Sequence, residues 1–295
     1  MRYVPGGSFP DGLVPQLITR PYAGLSAILD AYAFDVSPVF DDAPFFWHFA
    51  RFRDVFGNRL QDPRYNFEEA RGERALLFLL GLSVVYAATA LLLPFFAIRQ
   101  IWASLPFKAL TGVYFGAIGV GFMFFEIVLI QRLTLLLGYP TYSLSVTLAS
   151  LLAFTGIGSY LSERYGGSIR GAVGVLLAGV ALLGLVYQFA LGPVIASALS
   201  APLAMRVALA VALLAPIGLS LGGFMPTGLA VAASLTPHKT QYVAWGWAVN
   251  GFFSVISSVL ATVLSMTFGF SVVLWVALAF YVFAVGALLI VPQAR

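Results

Sequence analysis

The chain has 295 residues, of which 60% are hydrophobic and only 9% are charged, and its mean hydropathy is +0.94. Soluble globular domains carry about 25% charged residues, so the composition excludes that class and predicts an integral membrane protein. The net charge is +4, but the basic residues stand singly between apolar stretches, which excludes the basic patch of a nucleic-acid-binding protein. Cysteine is absent and His48 and His238 are far apart, so we expect no metal site and no cofactor.

The charged residues are unevenly distributed along the chain. Residues 1–74 hold 10 of the 12 acidic and 8 of the 16 basic residues, which leaves 2 acidic and 8 basic residues for positions 75–295. This division predicts a polar N-terminal segment, 1–74, followed by a polytopic transmembrane domain, 75–295. The polar segment contains no glycine-rich loop after a strand, so it predicts no nucleotide site.

Seven stretches are long and apolar enough to cross a bilayer, whose core requires about 20 apolar residues per helix. The expected fold class is therefore an all-α membrane protein, a polytopic bundle of about seven transmembrane helices with the lipid bilayer as a partner. Pro216 and Pro226 punctuate the fifth stretch, which we expect to be broken or followed by a re-entrant piece. The stretches cover 75–97, 109–137, 142–161, 171–192, 205–225, 241–267 and 271–291.

An acidic pair, Asp41 and Asp42, precedes a run of aromatic residues in FDVSPVFDDAPFFWHFARFRDVF, 34–56. Adjacent side chains on a proline-flanked turn usually point apart, so a shared metal or general-base role is disfavoured. The favoured interpretation is a turn or capping pair ahead of an aromatic anchor at the membrane surface. The expected anchor residues are Phe45, Phe46, Trp47 and Phe49.

A single glutamate, Glu126, interrupts the apolar run GFMFFEIVLIQRLTLLLGYP, 121–140. Positions seven apart on a helix lie within about 20° of one another, so Gly112, Gly119 and Glu126 share one stripe. A glycine stripe marks the approach of another backbone, and Glu126 is therefore expected to point into protein. Three interpretations stay open: a neutral carboxyl group, structural pairing with Asn250, Arg206 or Arg132, or a carboxyl group that exchanges protons.

The sixth stretch carries a face of small and polar residues within AWGWAVNGFFSVISSVLATVLS, 244–265. Such a face either packs against another helix or lines a cavity, and packing is the favoured interpretation. Its members recur at three- and four-residue steps and are Asn250, Ser254, Ser257, Ala261 and Ser265.

Five motifs resemble those of bacterial spermidine-synthase-like integral membrane proteins, in which a polyamine-synthase or methyltransferase-type α/β domain is joined to a multi-span membrane domain. The motifs are SPVFDDAPFFWHF (37–49), EIVLIQRLTLLLGYPTYSLSV (126–146), TGIGSYLSE (155–163), GGFMPTGL (222–229) and WGWAVNGFFSVISSVLA (245–261). The resemblance implies that residues 1–50 are the trailing edge of the family's soluble α/β domain, followed by a linker. It also implies that Asp41 and Asp42 belong to a linker motif, although Ala43 stands where relatives often have arginine. It also implies four candidate functional residues within the membrane, which are Glu126, Gln131, Trp247 and Asn250.

The resemblance does not supply a catalytic site. The segment before the first apolar stretch lacks the glycine-rich loop and the acids for ribose and amine that such an enzyme requires, so no catalytic residue is predicted and enzymatic activity stays open. We expect a module of the bacterial inner membrane that anchors or partners a soluble α/β aminopropyltransferase- or methyltransferase-type domain, in cis or in trans. The alternatives are a small-solute transporter, for a polyamine or another cation, that uses Glu126, and a subunit of a larger membrane complex.

Overall fold

The structure is a computed structural model that describes residues 25, 29, 34–56, 70–97, 99–162 and 169–292. Within these ranges the chain forms helices and no strand, so the predicted all-α class is confirmed. The helices are α1 (Arg71–Ala97), α2 (Arg99–Ser104), α3 (Lys108–Leu137), α4 (Pro140–Ser162), α5 (Ile169–Ala198), α6 (Leu203–Gly222), α7 (Phe224–Ser234), α8 (Lys239–Phe268) and α9 (Phe270–Ile290).

Among the described residues, seven spans are long and apolar enough to cross a membrane, as the sequence predicts. Five are the single helices α3, α4, α5, α8 and α9, one is the 71–93 part of α1, and one is α6 together with α7. The fourth span is longer than expected, because α5 continues past Pro193 to Ala198. The protein is therefore a multi-pass integral membrane protein whose apolar helices contact the bilayer.

Helix α3 lies at the centre of the bundle, between α8 and α9. Its apolar window is 67% buried, more than that of any other span among the described residues. Glycines allow both neighbours to approach closely: a Cβ atom on Gly119 would lie 2.8 Å from the Asn250 carbonyl of α8, and one on Gly121 would lie 2.7 Å from the Tyr281 ring of α9. This arrangement places the middle of α3, including Glu126, inside protein contacts.

The fifth span is interrupted at Gly223, where α6 ends and α7 begins. Pro226 has no N–H group and its ring would clash with the carbonyl of Gly222, so a continuous helix is disfavoured at this point. The Tyr114 hydroxyl of α3 donates a hydrogen bond to the Phe224 carbonyl (2.5 Å). The break predicted in this stretch is thus present, but the chain continues as α7 to Ser234 instead of forming a re-entrant piece.

Helices α4 and α6 cross with their backbones in contact. A Cβ atom on Gly158 would lie 2.2 Å from the Leu219 carbonyl, and one on Gly222 would lie 2.1 Å from the Thr155 carbonyl. No side chain fits at either position without a shift of the backbone, so the two glycines set the distance between these helices.

The chain divides into two compact units, Met1–Leu77 and Phe78–Arg295. In the first unit, residues 34–56, here called the head segment, pack against the beginning of α1. Their shared core is small and apolar, with Phe34, Ala50, Val55 and Ala70 buried and Leu77 packed against them. The head segment is therefore folded against the first turns of the helix.

Candidate functional site

Glu126 lies close to the middle of α3. It is about 27 Å along the helix axis from Lys108 and about 17 Å from Leu137, at a rise of about 1.5 Å per residue. Since α3 is about 45 Å long and a hydrocarbon core is about 30 Å thick, Glu126 lies within the membrane-spanning part of the helix. The side chain is partly buried, which is a costly environment for a charged carboxylate.

The structural pairing considered for Glu126 is absent. Within the part of the chain that the structure describes, its carboxyl group makes no hydrogen bond or ion pair with Asn250, Arg132, Arg206 or any other residue. Asn250 donates to the Phe115 carbonyl (3.1 Å), Arg132 to the Tyr187 carbonyl (3.3 Å) and the Ser271 hydroxyl (2.9 Å), and Arg206 to the Leu136 carbonyl (3.0 Å). Each proposed donor is thus engaged by a backbone carbonyl elsewhere, and the pairing interpretation is wrong for these partners.

The glycine stripe of α3 faces another helix, as the sequence predicts, and that helix is α8. A Cβ atom on Gly112 would lie 3.5 Å from Trp245, and one on Gly119 would lie 3.0 Å from the Asn250 amide nitrogen. Because the contacts advance together along both chains, the two helices run parallel. Glu126, seven residues beyond Gly119 on the same stripe, is about 10.5 Å farther along this interface.

The small and polar face of α8 is largely buried among the described residues. Ser257, Ala261 and Ser265 are each at most 1% exposed. The Ser257 hydroxyl donates to the carbonyls of Phe253 and Ser254 in its own helix. These contacts are those of a helix-packing surface, in line with the favoured interpretation.

The structure does not bring the four candidate membrane residues together. Gln131 is exposed and stands about 140° around α3 from Glu126. Trp247 is 57% exposed, which suits an amphipathic ring at a lipid-facing position. Asn250 lies in the α3–α8 interface, where it meets Gly119, and Glu126 belongs to the same glycine stripe of α3.

Asp41 and Asp42 occupy the two central positions of a tight turn. The Ala43 amide donates to the Phe40 carbonyl (2.9 Å), which closes the turn. Asp41 is exposed, and no group of three or more metal-ligating side chains occurs among the described residues. Asp41 and Asp42 therefore form part of a turn, and a linker role for the pair stays a prediction.

A buried polar contact that the sequence did not predict joins the head segment to α1. His48 Nδ1 lies 3.0 Å from Glu73 Oε1, and the two side chains are 8% and 4% exposed. The Ala50 amide donates to the same carboxylate oxygen (3.3 Å), and Arg74 Nε donates to the Val55 carbonyl (3.4 Å). No sequence spacing indicates this contact, because its partners are 25 positions apart.

A second charged contact stabilises the head segment itself. Arg51 Nε lies 3.8 Å from Asp35, and the Ser37 amide and hydroxyl donate to the same carboxylate. Partial burial raises the pKa of the Asp35 carboxyl, but the Ser37 hydrogen bonds and the positive charge of Arg51 outweigh it, so the pKa lies below its ordinary value. Asp35 is thus held in its charged form at neutral pH.

Comparison of the chain with protein-family models, curated proteins and solved structures finds no match. Two features of the geometry bear on function: the head segment packed on the start of α1, and the carboxyl group of Glu126 near the middle of α3.

Proposed function

We propose that the chain is a membrane module that holds a soluble, transferase-like α/β domain at a bacterial inner membrane. The supporting observation is the packing of the head segment against the first turn of α1, through the buried His48–Glu73 contact. Residues 34–49 of this segment are those that resemble the edge of the soluble domain in spermidine-synthase-like proteins. A domain joined to or bound by this segment would be held beside the point where α1 enters the bilayer.

The contacts favour a rigid connection over a flexible tether. One Glu73 carboxylate oxygen is hydrogen-bonded to the His48 ring nitrogen and accepts a second hydrogen bond from the Ala50 amide. Hydrogen bonds to charged groups contribute about 1.5–3 kcal/mol each. The apolar core that contains Val55 and Ala70 also holds the head segment against the start of α1. A soluble domain attached here would keep a fixed orientation to α1, which a glycine- or serine-rich linker would not provide.

The test is the isolation of the protein from its native membrane, followed by intact mass and N-terminal sequencing under conditions that preserve complexes. The proposal expects a transferase-like α/β domain, either fused in a species heavier than 31.6 kDa or bound in stoichiometric amount. A 31.6 kDa species that carries no such partner in several mild detergents would contradict it.

A second candidate function is transport of a small cation, supported by the carboxyl group of Glu126, which has no hydrogen-bond or ion-pair partner among the described residues. Ionisable residues inside a membrane commonly mark a substrate or proton pathway. In carriers with discontinuous helices, however, the binding site lies at the break. Here the break packs against Tyr114, about 18 Å along α3 from Glu126, so this function ranks second.

Spermidine uptake into proteoliposomes tests the transport function. Uptake should be lost in Glu126→Gln and largely retained in Glu126→Asp, which keeps the carboxyl group. Equal uptake by the wild type and Glu126→Gln would exclude Glu126 as the transport site. No uptake by the wild type would exclude polyamine transport by this protein.

A further inference from the structure

The head segment exposes a group of large aromatic side chains. Phe46 is 62% exposed and Trp47 is 73% exposed, and the Trp47 ring lies 5.3 Å from Phe46 and 5.9 Å from Phe49 between centroids. Single exposed apolar residues are common on proteins, but an adjoining group of them marks an interaction surface. The group consists of Phe46, Trp47 and Phe49.

The position of this surface is fixed by contacts within the first compact unit. Trp47 directly precedes His48, whose ring lies 3.0 Å from Glu73. Glu73 is two residues before Ala75, where the apolar part of α1 begins. The aromatic surface therefore lies beside the first turns of α1, where the apolar part of this helix begins, and this is the part of a transmembrane helix that aromatic anchors commonly flank.

The chemistry of the segment identifies its partner more closely. Tryptophan and phenylalanine favour the boundary between headgroups and acyl chains, where an aromatic ring can be partly buried. Residues 34–56 hold four aspartates and two arginines, a net charge of −2. This charge gives no attraction to anionic lipids, so binding would depend on apolar contact.

We propose that the head segment lies in the interface of the bilayer that α1 crosses, with its exposed aromatic side chains inserted among the headgroups of zwitterionic lipids. The His48–Glu73 contact holds the segment in this plane. The surface is a lipid-binding site, and it belongs to the chain whether or not a soluble domain is attached.

Spin labels attached to single cysteines measure the depth directly, and the chain contains no native cysteine that would need removal. Trp47→Cys and Phe46→Cys report on the proposed surface. Asp41→Cys, exposed on the adjacent turn, is the aqueous control, and Phe78→Cys, 71% exposed on α1, is the acyl-chain control. Each labelled protein is placed in phosphatidylcholine nanodiscs and its collision rates with oxygen and with a water-soluble nickel chelate are recorded.

The expected result is a depth for Trp47 and Phe46 between those of the two controls, with several-fold less contact with nickel than at Asp41. Replacing a third of the lipid with phosphatidylglycerol should leave the depth unchanged. Nickel contact equal to that of Asp41 would overturn the proposal, because the surface would then face water. Shielding from both reagents would also overturn it, because protein would then cover the surface.

A requirement for anionic lipid would contradict the zwitterionic assignment. Circular dichroism and gel filtration check that each variant remains folded, and the paired labels at Trp47 and Phe46 guard against a local effect at one site. Because the chain is reconstituted alone, failure of this inference leaves the proposed soluble partner untouched.

Discussion

His48 Nδ1 and Glu73 Oε1 lie 3.0 Å apart, with both side chains more than nine-tenths buried, at the point where the head segment meets α1. Both groups are removed from water, so loss of Glu73 removes the partner of the buried His48 nitrogen, whereas loss of His48 leaves the carboxylate with the hydrogen bond from the Ala50 amide.

Glu73→Ala is expected to release the head segment from α1 without unfolding the membrane helices. A lost hydrogen bond to a charged group costs about 1.5–3 kcal/mol, which raises the open population, and with it the proteolysis rate, by roughly ten- to a hundredfold. Limited trypsin digestion at Arg51 and Arg53 measures this rate. Asp41→Asn, which alters an exposed carboxyl of the same segment, is the matched control and should digest like the wild type.

Acidification is expected to loosen the head segment through Asp35. Its folded-state pKa is lowered, so the carboxylate stabilises the folded segment above its unfolded pKa of about 3.9 and this contribution disappears as the pH falls through the folded value. The mobility of a spin label at Phe46→Cys should therefore rise as the pH is taken below about 4. The same label in Asp35→Asn should already be more mobile at neutral pH and show a smaller acid step. The remaining step belongs to Glu73, because its hydrogen bonds to His48 and Ala50 outweigh burial and lower its pKa as well; an unchanged step would exclude Asp35 as a contributor.

The two glycines at the α4–α6 crossing should not tolerate a methyl group. Gly158→Ala and Gly222→Ala each place a Cβ atom within 2.2 Å of a backbone carbonyl oxygen, and overpacking costs about 1–3 kcal/mol or more when the backbone must move. Both variants should unfold at lower dodecyl sulfate concentration than the wild type. Gly156→Ala is the control on the same helix, because nothing lies within 4 Å of its Cβ position.

The sequence predicts those features of the fold that depend on composition and on single residues. Apolar length gives the seven spans, and Pro226 gives the break at Gly223, because a missing N–H group acts on the chain where it occurs. The stripe of Gly112 and Gly119 indicates the close neighbour of α3 because helical periodicity sets its direction.

The partners of polar side chains were not predictable in the same way. Asn250, Arg132 and Arg206 were all reasonable donors to Glu126, yet each donates to a backbone carbonyl instead. Which carbonyl lies within reach depends on the rotation and axial shift of packed helices, and sequence spacing does not determine either. The His48–Glu73 contact escaped prediction for the same reason, since it depends on how the head segment folds back onto α1.

The missing partner of Glu126 has a consequence for stability that separates function from structure. An acidic residue at the centre of a transmembrane helix costs up to about 3 kcal/mol, and Glu126 recovers none of this through a hydrogen bond or ion pair with the described residues. Glu126→Gln and Glu126→Leu should therefore unfold at an unchanged or higher dodecyl sulfate concentration than the wild type. Asn250→Leu removes the 3.1 Å hydrogen bond to Phe115 and should lose about 0.6–2 kcal/mol.

The comparison of these variants decides what the carboxyl group does. Unchanged stability together with lost spermidine uptake in Glu126→Gln would assign Glu126 to transport, because a group that contributes nothing to folding would then be required for activity. A drop in stability as large as that of Asn250→Leu would instead show that the Glu126 carboxyl group has a structural partner.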